Sequence, residues 1–272
     1  DTSWAMWSFV PVGFLVGAIG TFVGAGGGFL LVPFLAFYDP SLSPGEITGI
    51  TLAVAFGNSF SGSVAYAKAR RIDYRSGLAF ALASIPGALL GATSSALVPR
   101  RVFATAFGLF MIGVAALLWF KPAPKKPRPA PLFGKAERRL TDSAGTTHHY
   151  AFNFPLGVGL SLGVGLLSSL LGIGGGLIHV PVMTFLLNFP VHIATATSHF
   201  TMVLMTLSAT IAHASMGLFE GRILVMTCAL TAGVIPGAQL GAAISAKAKN
   251  NTILRGLALG LFLVALRLAW VG

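Results

Sequence analysis

Two glycine clusters, each followed by a proline, are the residues of this chain whose type and spacing point most directly to chemistry. Gly24, Gly26, Gly27 and Gly28 precede Pro33, and Gly172, Gly174, Gly175 and Gly176 precede Pro181, at a constant separation of 148 residues. Glycine runs let backbone N–H groups and the start of a following helix face an anion. This makes Gly26, Gly27, Gly28, Gly174, Gly175 and Gly176 candidate substrate contacts. Close helix packing through small residues is the competing reading. A nucleotide loop is a third, because Gly24-Ala25-Gly26 opens like a dinucleotide fingerprint. That reading lacks the strand–helix unit and acidic ribose partner it needs.

Polar residues inside apolar runs form the second constellation. Thr48, Thr51, Asn58, Ser59 and Ser61 lie in one run, and Thr195, Thr197, Ser198, His199, Thr206, Ser208 and His213 in another. Thr51 and Ser198 stand 147 residues apart, near-equivalent in the two halves. Small hydroxyls and an amide suit an anion that must be held and then released. Thr51, Asn58, Thr197, Ser198, His199 and His213 are therefore candidate binding residues. The competing reading is interhelical hydrogen bonding, at about 0.6 kcal/mol each.

Ionisable groups at membrane depth are costly and point to function. The candidates are His179, His199, His213 and Arg267, and a neutral structural histidine is the alternative for each. The acids Asp1, Asp39, Glu46, Asp73, Glu137, Asp142 and Glu220 all fall at termini, loops or ends of runs. A carboxylate-based cation site is thus disfavoured and an anionic substrate favoured. A histidine can couple to protons near neutral pH. Tyr66 holds the repeat position of His213 and is expected to line the same cavity or to anchor at the interface. No metal or cofactor is expected: His199 and His213 are not at i, i+4 and no His-Glu motif accompanies them. His148 and His149 are adjacent in a predicted strand and point to opposite faces. An enzyme is disfavoured on the same grounds.

The elements that position these groups are membrane helices. The chain is 55% hydrophobic and 9% charged with mean hydropathy +0.82, against about 25% charged in soluble domains. Apolar runs fall at 6–37, 45–67, 76–98, 102–120, 153–187, 193–216, 222–245 and 252–271, and about 20 such residues cross a bilayer. The expected fold is all-α, with about eight transmembrane helices in two related halves, each opening on a broken glycine-rich segment. The first and fifth runs are too long for straight spans, so they are read as broken or re-entrant. Irregular backbone at membrane depth must be buried in protein or line a cavity. Cys228 lies in an apolar run and is expected to be a buried thiol.

Between the halves, the Pro/Lys-rich stretch 121–129 reads as an extended linker. Residues 138–141 and 148–152 flank a turn-like 142–145, which suggests a β-hairpin. The organisation is a first repeat at 1–120, a cytoplasmic linker at 121–150 and a second repeat at 151–272. The net charge of +11 clusters between apolar runs, where the positive-inside rule explains it better than nucleic-acid binding does. With the N-terminus inside, Lys68, Arg70, Arg71, Arg75, Lys121, Lys125, Lys126, Arg128, Lys135, Arg138, Arg139 and Arg222 fall on the cytoplasmic side. Arg100, Arg101, Lys247, Lys249 and Arg255 fall outside. This balance places the linker and both termini in the cytoplasm. A trimmed N-terminus is expected from Asp1, and the first apolar run lacks the features of a secretory signal.

Further matches follow in the same order: Asp73 with Glu220, and Ile85-Pro86-Gly87-Ala88 with Ile235-Pro236-Gly237-Ala238. Duplicated halves with interrupted apolar segments are a transporter signature; whether the halves run parallel or inverted stays open. The two Gly-x-Gly-Gly-Gly blocks with their prolines, Ala196-Thr197-Ser198-His199-Phe200 and the two Pro-Gly-Ala-x-x-Gly blocks resemble the TauE/SafE family of sulfite exporters and sulfonate permeases, over nearly the whole chain. The resemblance implies secondary transport of sulfite or an organosulfonate across a bacterial inner membrane. The implied partners are that anion and the lipid bilayer. An anion channel, or a carrier of another small organic anion, is the alternative.

Overall fold

The computed structural model describes residues 7–120, 133–247 and 258–259. Its helices are α1 (Phe9–Val23), α2 (Gly28–Tyr38), α3 (Pro44–Lys68), α4 (Tyr74–Ser95) and α5 (Arg100–Phe120). The strands β1 (Lys135–Thr141) and β2 (Thr147–Asn153) come next. Then come α6 (Phe154–Leu171), α7 (Gly176–Pro181) with a π turn at Val182–Leu186, α8 (Val191–Ser215) and α9 (Gly221–Lys247). By length and apolarity α3, α4, α6 and α9 can each cross a membrane.

Local sequence sets the boundaries. Ser43 and Glu46 form a reciprocal capping box at the start of α3, with Pro44 in the first turn, which satisfies orphan N–H groups. Asp73 caps α4 through Ser76 N, and Asn153 caps α6 through Leu156 N. Gly24 closes α1 and Gly172 closes α6, both left-handed, a backbone state that glycine takes without steric cost.

The first and fifth apolar runs fold as helical hairpins, not spans. After α1 the chain reverses, so that Phe9 at the start of α1 stacks edge-on with Tyr38 at the end of α2, 5.1 Å between centroids. After α6 it reverses again: Phe152, just before α6, lies 4.9 Å from Phe189, just after the π turn. At ~1.5 Å per residue α1 reaches about 22 Å and α2 about 16 Å, so the first hairpin ends part-way through the assembly, and the second stops where its tip meets the first. The expected eighth span, 252–271, lies almost wholly outside the described residues.

The hairpins open from opposite ends. At one end Arg100 donates to the carbonyls of Ala36 and Leu42, and Arg222 pairs with Asp39 at 2.8 Å. At the other end the β-hairpin docks on the α3–α4 turn, through Ser143 N–H to Ala69 O and an Arg138–Asp73 ion pair at 3.4 Å. The antiparallel register runs from Lys135 opposite Asn153 to Thr141 opposite Thr147. The start of α1 and the β-hairpin therefore sit at opposite ends, joined by the 25-residue α3. Arg222, expected on the side of the linker, therefore lies at the end opposite the β-hairpin. The reason is physical: a hairpin returns to its own side and adds no crossing. Residues 1–6 and 121–132, and with them Lys121, Lys125, Lys126 and Arg128, lie outside the described residues. Lys249, Arg255 and Arg267 do so as well.

Helix contacts come in exchanged pairs. A Cβ added at Gly87 or Gly91 of α4 would strike the Leu162 or Leu166 carbonyl of α6. Added at Gly237 or Gly241 of α9, it would strike the Phe14 or Ala18 carbonyl of α1. The two Pro-Gly-Ala-x-x-Gly blocks thus do the same work, letting each hairpin's first helix lie close against a helix of the other half. Cys228 is exposed on α9, not buried as expected, because it faces away from α1.

Candidate functional site

The two glycine breaks meet. A Cβ at Gly28 would lie 2.5 Å from the Gly172 carbonyl and 2.8 Å from Ile173 C. A Cβ at Gly176 would strike the Gly24 carbonyl and lie 2.9 Å from Ala25 C. The reciprocity extends to the flanking helices: Gly24 faces Thr195 of α8, and Gly172 faces Thr48 and Thr51 of α3. Gly26 faces Met202 and Gly174 faces Ala55, again at matching positions. Gly26, Gly27, Gly174 and Gly175 have φ of +77°, +79°, +79° and +93°. The hairpin tips are held by backbone-to-backbone packing that no larger residue fits. The first turn of α2 leaves N–H groups without helical acceptors, and the helix dipole makes that end electropositive.

Beside the first tip lies a buried polar cluster. Thr21, in the last turn of α1, donates its hydroxyl to Asn58 Oδ1 at 2.9 Å. Tyr66 donates its phenol to the Thr21 carbonyl at 2.8 Å. His199 Nε2 stands 3.4 Å from Thr21 Oγ1 and its Nδ1 3.3 Å from the Thr195 carbonyl. The Tyr66 and His199 rings meet edge-on at 5.3 Å, and Gly62 leaves room for the imidazole. Asn58 and His199 are wholly buried. Asn58 Nδ2 has no partner, nor has Thr195 Oγ1. Buried polar atoms are nearly always paired, and Ser168 Oγ and Ser169 Oγ beside the second tip are unpaired as well, so free polar atoms flank both tips and the amide donor belongs to the first.

The expected site residues divide accordingly. Gly26, Gly27, Gly28, Gly174, Gly175 and Gly176 with Thr51, Asn58 and His199 gather at or beside the tips. Thr51 bonds the Thr48 carbonyl at 3.1 Å. Thr197 is occupied elsewhere, accepting from Asp73 N–H at 3.0 Å. Ser198 points along its own helix to Met202 Sδ at 3.9 Å. His213 lies in the last turn of α8 against Gly49, toward the other end, with neither nitrogen paired. His179 contacts Ser161 at 3.3 Å inside the second hairpin.

Sequence reasoning missed Thr21. Its signal was its place three residues before Gly24, with Ser169 at the same place before Gly172. Among the described residues no group of three metal-ligating side chains assembles. The described carboxylates stay at helix ends, in loops or on the β-hairpin. Asp73 is bonded by Ser76 and by Tyr150 at 2.9 Å, and burial and that neighbouring carboxylate push the Tyr150 phenol far above its usual range.

Residues 9–268 match the sulfite exporter TauE/SafE family. This chain belongs to that family. It is similar to the probable membrane transporter protein YunE of Bacillus subtilis, 33% identical over 271 residues and 97% of each chain. A probable membrane transporter protein of Xylella fastidiosa is 24% identical over 93% of this chain and 88% of its own. MJ0441 of Methanocaldococcus jannaschii is 27% identical over 70% of this chain and 65% of its own. No solved structure gives a significant match. A TauE/SafE member is a multi-pass membrane transporter, which is the setting in which the paired tips are to be read.

Proposed function

We propose that this protein is a secondary transporter that carries a small sulfur oxyanion, sulfite or an organosulfonate, through the junction of the two hairpin tips. The observation that carries the reading is the unpaired, fully buried Asn58 Nδ2 beside the glycine break. A free donor without a carboxylate neighbour is complementary to an anion, and the family described as sulfite exporters names the sulfur chemistry. The proposed binding set is Gly26, Gly27, Gly28, Gly174, Gly175, Gly176, Thr51, Asn58 and His199.

In the layout proposed, 1–120 and 151–272 are repeats of inverted topology. Each consists of one re-entrant hairpin followed by through-going helices, and the site lies where the broken segments converge. The end with the β-hairpin carries Lys68, Arg70, Arg71, Arg75, Lys135, Arg138 and Arg139. Arg100, Arg101 and Arg222 mark the other. The asymmetry supports a reading with the β-hairpin in the cytoplasm of an inner membrane and the start of α1 outside.

Purified protein in proteoliposomes, offered sulfite, sulfate and alkyl sulfonates, tests the reading. Saturable uptake and counterflow of a sulfite or sulfonate are expected. Non-saturating, ohmic current would assign a channel. Absence of flux for every anion overturns the reading.

A further inference from the structure

With Asn58 Oδ1 turned toward Thr21, the polar cluster holds one proton too few for a neutral histidine. Thr21 has a single hydroxyl proton, and it goes to Asn58 Oδ1. His199 Nδ1 faces a carbonyl, which only accepts, so a hydrogen bond there requires N–H at Nδ1. With the Thr21 proton given to Asn58, the contact at Nε2 requires N–H there as well. The imidazolium alone meets both demands. In that state Asn58 Nδ2 is left as a free donor.

A neutral His199 closes the network the other way. Nδ1–H still serves Thr195, Nε2 accepts the Thr21 hydroxyl, and the Asn58 amide turns so that Nδ2 donates to Thr21 Oγ1. The two amide orientations have the same shape. The atom then left free is Oδ1, an acceptor that repels an anion.

We propose that His199, Thr21 and Asn58 form a relay that loads one proton with each anion, with Thr21 as the positioning residue that ties the two events together. The inference rests on the anion-transport reading above and names its coupling ion. Electrostatics drives it in the same direction. A buried imidazolium without a counter-ion is expensive, and so is a buried anion. Bound together they form a neutral pair. By linkage, the factor by which protonation strengthens anion binding equals the factor by which the anion strengthens protonation.

The groups around His199 leave that role to the substrate. From α3 the titratable neighbour is Tyr66, whose proton is committed to the Thr21 carbonyl. From α1 it meets Thr21. Asp73, before α4, reaches α8 through its N–H to Thr197 while its carboxylate is engaged by Ser76, Tyr150 and Arg138. Arg71, beyond Tyr66, is turned to Asp142 at 3.7 Å. From α9 the cluster around Tyr66 receives Ala242 and the Ser245 hydroxyl, neither of which carries a charge.

The test uses the whole protein in proteoliposomes containing a trapped pH dye, with methanesulfonate as the probe because it carries no proton of its own. An inward sulfonate gradient is expected to acidify the lumen by about one proton per anion. Thr21→Ser should keep both flux and coupling. Thr21→Val should lose about tenfold in flux, from one broken hydrogen bond to the relay, and its pH profile should flatten. Thr21→Ala serves if the valine variant does not fold. For a protein that carries only sulfite, the difference in pH profile between wild type and Thr21→Val is the readout. Anion flux without proton movement, or a Thr21→Val profile identical to wild type, overturns the relay and leaves the transport reading standing. Absence of all anion flux overturns the reading itself.

Discussion

The helices α3 and α8 are the same scaffold with different chemistry. Each has 25 residues, and each passes a glycine break contributed by the other half. Yet Asn58 of α3 matches Met205 of α8, Tyr66 matches His213, and His199 of α8 matches Leu52 of α3. Around the first tip these residues build a hydrogen-bonded cluster. Around the second, Met205 packs against Gly175 and Met202 against Gly176. Thioether side chains are soft and fill irregular space without offering a strong donor. Duplication supplied two equivalent breaks: the hydrogen-bonded network of Thr21, Asn58, Tyr66 and His199 lies nearer the β-hairpin, while the second break keeps the separate buried hydroxyls of Thr48, Thr51, Ser168 and Ser169. The backbone device is symmetric while the hydrogen-bonded network beside it is not, and on the function proposed above recognition follows the network.

The largest effect tests the symmetric part. Gly28→Ala and Gly176→Ala each put a methyl onto backbone of the opposite tip, where no side chain can move aside. Overpacking costs about 1–3 kcal/mol even where the surroundings yield. Both variants are expected to lose transport to background and to unfold at lower temperature in detergent. Gly159→Ala, with nothing within 4 Å of the added carbon, should change neither. A functional Gly176→Ala protein beside a dead Gly28→Ala one would show that the tips are not equivalent.

The next effect tests the asymmetric part. Asn58→Leu removes the free donor, and a hydrogen bond to a charged group is worth about 1.5–3 kcal/mol, or roughly 10–100-fold in flux at limiting substrate. Met205→Leu exchanges one apolar side chain for another of similar volume and should stay within about threefold, because such swaps are well tolerated. Uptake measured on both variants at equal protein decides the matter. Equal losses would mean that recognition is shared between the two sides.

How much of this was legible in the sequence follows from range. The breaks were, because glycine and proline act on the local backbone and the 148-residue repeat doubles the signal. The helix limits were within a few residues, since Ser43, Asp73 and Asn153 cap locally. The β-hairpin was read from its turn, though β2 runs on to Asn153. The direction of the broken segments was not legible. A run with a central break has the same hydropathy whether the chain continues or doubles back, and only contacts such as Phe9 with Tyr38 separate the cases. The charge count inherited that ambiguity and put Arg222 at the wrong end. Thr197 and Ser198 looked like ligands because hydroxyls in an apolar run do, but Thr197 is used by Asp73 across a long-range contact. Thr21 was passed over because one threonine near a helix end is ordinary until the fold brings Asn58 and His199 to it.

The smallest effect separates Tyr66 from His213, the pair that sequence placed on one cavity. Tyr66→Phe removes one hydrogen bond, to a Thr21 carbonyl that also accepts from Gly24 N–H at 3.2 Å. The carbonyl is not orphaned, so the loss should be near 0.5–1.5 kcal/mol, or about 2–10-fold in flux. The pH profile should keep its shape, since the His199 contacts survive. His213→Phe removes no hydrogen bond, because neither imidazole nitrogen has a partner. Replacing an unpaired buried polar group by an apolar ring lifts a desolvation cost, so the variant should transport as wild type and melt at the same or a higher temperature. Flux and melting measured on the two variants together give four numbers. A His213→Phe protein that is stable yet silent would put His213 on the pathway and make recognition two-sided after all.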